Sequence, residues 1–205
     1  MKGARRPVVT NNFHNRQVQG KRLKDKASDC DGSLTIRRWI MAEENLLDGK
    51  KILIVDDEPY VLETLEELLP MCHISTAMTF DGAKKLLETE KFDMAILDIM
   101  GVDGYKLLDI ANQQKTTAVM LTAHALTPEN IVKSYKEGAA YFVPKEEMPR
   151  ITTFLNDILN AKKKGKSTWL NWLEMLTDAY WEKKFGPDWK KGDKEFWEKF
   201  PDHTF

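Results

Sequence analysis

The sequence predicts an α/β protein: a doubly wound, five-stranded parallel sheet, followed by a small α-helical extension. Three observations predict it. Between Lys51 and Lys162, five short apolar runs alternate with five segments whose apolar residues recur at helical spacing. The first run, Lys51 to Asp56, is of the continuous kind found where a parallel strand is covered on both faces. Charge is also partitioned: residues 41–160 carry eleven Lys/Arg against twenty-one Asp/Glu, whereas residues 1–40 carry ten against three and residues 161–205 ten against eight. The acidic middle is therefore a unit distinct from its flanks.

The elements follow in order. After the first strand, Pro59 suits a helix's first turn, Val61, Leu62, Leu65, Leu68 and Leu69 share one face, and Pro70 stops the helix. His73 to Ala77 is a weaker strand, and Asp81 is placed to cap a helix bearing Ala83, Leu86 and Leu87. Met94 to Asp98 is the third strand, Tyr105 to Ala111 the third helix and Ala118 to Thr122 the fourth strand. A helix from Pro128 to Glu137 ends at Gly138, Tyr141 to Val143 is the fifth strand, and Met148 to Lys162 the last helix. The domain so predicted spans residues 48–162.

Composition narrows the class. Hydrophobic residues at 42% and charged residues at 31% suit a soluble globular chain, and no apolar run reaches the roughly 20 residues that span a bilayer. Cys30 and Cys72 supply neither a disulfide framework nor a paired metal motif, and no secretory signal is visible, so a cytoplasmic location is expected. Residues 1–45 show no sustained period and read as a disordered basic extension. Met41-Ala42-Glu43-Glu44-Asn45 looks like a natural start, which makes residues 1–40 an upstream extension; the rival is a basic arm for nucleic acid or a partner.

In doubly wound sheets, chemistry collects at the carboxyl ends of the strands. Asp56 and Asp57 end the first strand, Asp98 the third and Thr122 the fourth, and Lys145 follows the fifth. Converging carboxylates repel, so one keeps a proton or a cation sits among them. Mg²⁺, a hard ion with oxygen ligands, is the natural neutraliser. With a lysine and a hydroxyl added, the set suits a phosphoryl group carried on a carboxylate.

Ile54-Val55-Asp56-Asp57-Glu58-Pro59, Leu97-Asp98, Asp103-Gly104, Leu121-Thr122-Ala123 and Pro144-Lys145 resemble the receiver domains of two-component response regulators, over about residues 50–160. The resemblance implies a flavodoxin-like receiver fold, with Asp98 as phosphoacceptor and Asp57 as a direct Mg²⁺ ligand. It implies that Asp56 holds the metal mostly through water, with Asp98 and the Met100 backbone carbonyl completing the ligands. Lys145 would pair with the phosphoryl group, Thr122 would turn inward to it, and Phe142, rather than Tyr141, falls at the switch aromatic. The phosphodonor would be a sensor histidine kinase or phosphotransfer protein. Two departures stand out: Ile99-Met100-Gly101-Val102 is shorter than the usual connection and lacks its proline, and His124 occupies a position that influences acyl-phosphate lifetime.

Plainer readings exist. Paired Asp at a strand end can be turn chemistry, Phe142 suits sheet core equally well, and His73 and His124 read as ordinary polar residues. Cys72 reads as a small buried hydrophobe. A haloacid-dehalogenase-type phosphatase needs a second Asp two residues after its nucleophile, which neither Asp56 nor Asp98 has. No turnover of an external substrate is expected.

After the hinge Lys162 to Lys166, residues 166–205 hold five of the six tryptophans. Trp169, Trp172, Leu173, Leu176 and Tyr180 fall on one helical face, Phe185-Gly186-Pro187 turns the chain, and Trp189, Phe196, Trp197 and Phe200 line a second short helix interrupted by Gly192. This hairpin-like tail either packs on its own domain, or binds a partner or second subunit under control of phosphorylation. Nucleic-acid stacking is disfavoured, because the tail's charge gives little electrostatic drive and no recognition-helix pair is visible. The competing functional reading is a receiver-fold interaction module acting through the tail, with phosphorylation incidental.

Overall fold

Five strands, β1 (Lys51–Val55), β2 (His73–Ala77), β3 (Met94–Asp98), β4 (Thr117–Thr122) and β5 (Tyr141–Pro144), pair in the order β2-β1-β3-β4-β5, every pair parallel. The computed structural model describes residues 45–123, 127–169, 172 and 178–200, all within the compact unit Glu43–Phe205. The expected extension up to residue 44, and His124, Leu173 and Leu176, lie outside the described residues.

Every residue of β3 and β4 is buried, which is why those runs are apolar without alternation. β2, at one edge, is only partly covered, and its mixed sequence His-Ile-Ser-Thr-Ala reflects that. Register sets up the site. Val55 pairs with Leu97, Asp98 with Leu121, and Thr122 with Pro144. The next residues along β1 and β5, Asp56 and Lys145, therefore emerge at the same sheet edge as Asp98 and Thr122.

The helices are α1 (Pro59–Leu68), α2 (Phe80–Thr89), α3 (Gly104–Gln113), α4 (Pro128–Lys136) and α5 (Ile151–Lys163). Apart from shifts of one or two residues at several element ends, two boundaries differ from expectation for a clear physical reason. The cap of α2 is Thr79, whose hydroxyl accepts from the Gly82 amide at 3.2 Å, so Asp81 sits inside the first turn rather than capping it. The last helix starts at Ile151, because Lys145–Arg150 forms a 3-10 turn containing Pro149, which has no N–H to donate. Gly138 takes φ +84°, the left-handed conformation that ends α4 as expected.

The tail is helical and packs on the sheet domain. It contains α6 (Asp178–Phe185), a 3-10 turn at Lys191–Asp193 and α7 (Lys194–Lys199), with Gly186 at φ +85° in the reversal. Asp193 caps α7 by accepting from the Phe196 amide at 3.2 Å. Trp169, Trp172, Trp181, Trp189, Phe196 and Trp197 are buried in one continuous apolar cluster with the sheet core. The ring of Tyr135 on α4 meets those of Trp169, Phe196 and Phe200 at 5.4, 5.2 and 5.0 Å. Each such edge-on pair adds about 0.5–1.5 kcal/mol beyond area burial. A segment too small to hold itself together thus shares the core of the larger unit. Among the described residues, no helix is long and apolar enough to cross a membrane.

Candidate functional site

The carboxyl edge of the sheet opens into a cleft of about 330 Å³ lined by Asp57, Glu58, Asp98, Met100, Gly101, Thr122, Ala123 and Lys145. Asp57 and Asp98 thus face one shared space. At its floor the Asp98 carboxylate is almost fully buried and doubly held: Oδ2 accepts from the amides of Met100 and Gly101, each at 2.9 Å. The short loop after β3 wraps tightly enough to bring both amides round, despite lacking proline. Oδ1 lies 3.2 Å from the Lys145 ammonium.

Lys145 is the hub of the site. Its Nζ stands 2.8 Å from Asp56 and 2.7 Å from Glu58, with its side chain only 10% exposed. Burial works against the ammonium, but hydrogen bonds to Asp56 and Glu58 and the charge of Asp98 outweigh it, so the pKa lies above that of an ordinary lysine. The cation among the converging carboxylates is, in this structure, a side chain.

Asp56 is fully buried. Its Oδ1 accepts from Lys145 and from the Glu58 amide, both at 3.0 Å, whereas Oδ2 is paired with the ammonium by charge alone and has no hydrogen-bond partner. Desolvation pushes this carboxyl above the usual aspartate range, and Lys145 offsets only part of the shift. Among the described residues, no three His, Cys, Asp or Glu side chains are gathered into a ready metal-ligand group. The donor set nevertheless suits Mg²⁺, which takes few protein oxygens and keeps several waters. Asp57 is exposed and shares the cleft with Asp98 and Met100, while Asp56 lies buried behind Lys145.

Two glycines explain the tight geometry. A Cβ on Gly101 would fall 1.9 Å from Asp57 Oδ1, and one on Gly104 would fall 2.0 Å from the Asp98 carbonyl oxygen. Asp103 just before Gly104 adopts φ 53°, a left-handed conformation that Asp tolerates. The Asp-Gly pair therefore lets α3 begin directly against the end of β3.

Of the predicted site residues, the cleft collects Asp57, Asp98, Met100, Thr122 and Lys145, with Asp56 buried behind Lys145. Phe142 is fully buried in β5 and does not line the cleft. Cys72 is half-buried rather than buried, its thiol donating to the Leu47 carbonyl at 3.4 Å, and His73 is exposed. Glu58 was missed by sequence reasoning. Its signal was the third acid of Asp56-Asp57-Glu58 ahead of Pro59, which reads as helix-start chemistry. In the structure Glu58 makes no side-chain cap, because its carboxylate goes to Lys145.

Comparison with known proteins bears on this geometry. Residues 52–156 match the response regulator receiver domain family. Among curated proteins, the two-component response regulators ARR10 and ARR18 of Arabidopsis thaliana are 31% and 34% identical over 119 and 103 residues, covering 55% and 47% of this chain but 21% and 16% of their own. The chain thus spans about a fifth of the length of those relatives. Among solved structures, a CheY-like receiver domain protein from Methanospirillum hungatei is similar with 27% identity and a TM-score of 0.51, over 57% of this chain and 99% of its own. The receiver domain of the Francisella response regulator 1452, at 22% identity and a TM-score of 0.50, shares the fold, covering 56% of this chain and 99% of its own.

Proposed function

Because the chain belongs to the response regulator receiver domain family over residues 52–156, we propose that it accepts a phosphoryl group on Asp98 in two-component signalling. The observation that carries this reading is the setting of the Asp98 carboxylate: one oxygen held by two amides, the other facing Lys145, both in a cleft open to solvent. A carboxylate so placed is oriented for attack without needing to reorganise.

In the reaction, an Asp98 oxygen forms a bond to phosphorus while the P–N bond of a phosphohistidine breaks. The departing imidazole keeps the electron pair and takes up a proton. Lys145 turns toward the new phosphoryl oxygens and balances their charge, and the Thr122 hydroxyl, at the end of β4, lies in the same cleft. Asp56, Asp57, Asp98 and the Met100 carbonyl would hold Mg²⁺, which when bound neutralises charge on the transferring group. Water later hydrolyses the acyl phosphate. Because the acceptor is the chain's own side chain, the protein is a stoichiometric reactant and not a turnover enzyme.

The phosphodonor is a sensor histidine kinase or a phosphotransfer protein, and the site of action is the cytoplasm. Incubation with phosphoramidate and Mg²⁺, read by intact mass, tests the reading. One phosphoryl group should be gained, and none after chelation or in Asp98→Asn. Unchanged mass in the parent chain, or a gain that persists in Asp98→Asn, overturns it.

A further inference from the structure

The carboxyl edge of the sheet gathers acids, and the opposite edge, where the strands begin, gathers lysines. In a parallel sheet every strand starts at that edge, and the crossover helices run back to end there. Lys91, Lys115, Lys162, Lys163, Lys164 and Lys166 are all exposed, in the connections and the last helical turn that meet at it. Two contacts tie them into one patch. Lys91 Nζ donates to the Gln114 side chain at 3.3 Å, and Lys162 Nζ donates to the Thr117 hydroxyl at 2.5 Å. Lys115 lies between those two acceptors in the chain, at φ 59°. Gly165, at φ +62°, reverses the chain, and the Lys166 amide donates back to the Ala161 carbonyl at 2.8 Å.

Little at this edge neutralises the patch. Lys50 and Lys51, at the start of β1, pair with Asp93 and Glu90 at 3.0 and 2.6 Å. Among the described residues, Lys91, Lys115, Lys162, Lys164 and Lys166 form no ion pair. Burial holds the Lys162 ammonium below the usual lysine range, with no carboxylate to raise it. The dipole of α5 favours cations in its last turn. Lys91, Lys115 and Lys166 lie in connections, however, so that dipole does not account for the patch. We propose that this edge is an electrostatic docking surface for an anionic lipid bilayer. Lysines are compact charges on flexible stems, suited to a diffuse negative surface. The patch has no arginine fork to grip single phosphates and no exposed ring to stack on bases. About four to eight basic residues together mark a lipid-facing cluster, each worth about fivefold in affinity. The exposed large apolar side chains Tyr60, Met78 and Met100 follow strand ends at the other edge, so attachment rests on charge and yields to salt. Held this way, the chain turns the Asp98 cleft toward solvent, and the assignment does not depend on the chemistry of Asp98.

Cosedimentation of the full chain with vesicles tests the surface. At about 0.1 M salt the chain should bind phosphatidylcholine vesicles containing about 30% phosphatidylserine, ignore pure phosphatidylcholine, and dissociate near about 0.5 M salt. Lys162→Gln, Lys164→Gln and Lys166→Gln together should weaken binding about a hundredfold at an unchanged thermal midpoint. Lys91→Gln with Lys115→Gln, outside any helix, should weaken it about twentyfold, and this pair decides alone if the first set fails to fold. Lys106→Gln, at the carboxyl edge, should stay within about twofold of the parent chain. Equal binding to both vesicle types, no binding at about 0.1 M salt, or binding that survives both sets of substitutions overturns the proposal. Tighter binding to a mixed-sequence DNA duplex, lost in the same variants, also overturns it, because the partner would then be a nucleic acid.

Discussion

The end and the flank of β5 lie in opposite environments. At its end, Lys145 meets three carboxylates at the floor of an open cleft and just behind it; along its flank, indole and phenyl rings bury the strand. The first arrangement is costly to build: Asp56 is buried with one oxygen lacking a hydrogen bond, and its carboxyl is pushed up by desolvation. The second needs no special chemistry and stabilises through buried aromatic area. A cluster of acids draws a cation, and that cation would offset the charge that a phosphoryl group adds. A packed seam asks only for buried area, and it holds β5 in place.

Four substitutions or conditions separate the two regions, or break the separation. Asp98→Asn should abolish phosphoryl incorporation altogether while moving the thermal midpoint by only a few degrees, since one member of a mutually repelling set is neutralised. A large loss of stability there would mean that the cleft carries structural weight. Trp172→Ala should do the reverse. Removing a fully buried indole costs about 3–5 kcal/mol in denaturant unfolding, while Asp98 remains phosphorylatable. A cost under about 1 kcal/mol would show that the seam is not a stabilising interface.

Gly104→Ala should strike both properties at once. Its Cβ would lie 2.0 Å from the Asp98 backbone oxygen, which cannot yield as a flexible side chain would. Strain of about 1–3 kcal/mol is expected, together with slower phosphorylation because the acceptor loop is displaced; a variant with parent-like stability and rate would refute that account of the Asp-Gly pair. The smallest effect concerns pH. Glu146 is held below the usual carboxylate range by Lys184 and then Tyr180. A depressed folded pKa stabilises above the unfolded value, about 4.3, and that contribution is lost as pH falls through the folded value. Tail peptides should therefore loosen below about pH 4, and Glu146→Gln should remove this acid sensitivity in hydrogen exchange.

Much of the site was legible because strand ends are legible. Apolar runs stop where the sheet stops, so Asp56, Asp57, Asp98, Thr122 and Lys145 could be assigned to one edge before any contact was known. Glu58 was not, since an acid before Pro59 has a sufficient local explanation, and its link to Lys145 spans 87 residues. Capping by Thr79 rather than Asp81 escaped notice for a similar reason: both residue types cap, and only backbone geometry chooses between them. The tail's aromatic faces were visible as a helical pattern, but periodicity names a buried face without naming what buries it.

By itself, the sequence determined the class of sheet, the order of its elements and the identity of the polar residues at its carboxyl edge, because each of these follows from local period and from where apolar runs end. Only the tertiary structure decided that Lys145 is the cation among the acids, that Gly101 and Gly104 clear space for Asp57 and Asp98, and that the tail closes on β5 and α4. Those outcomes depend on side chains far apart in the chain competing for the same few ångströms, and no local pattern records the result of that competition.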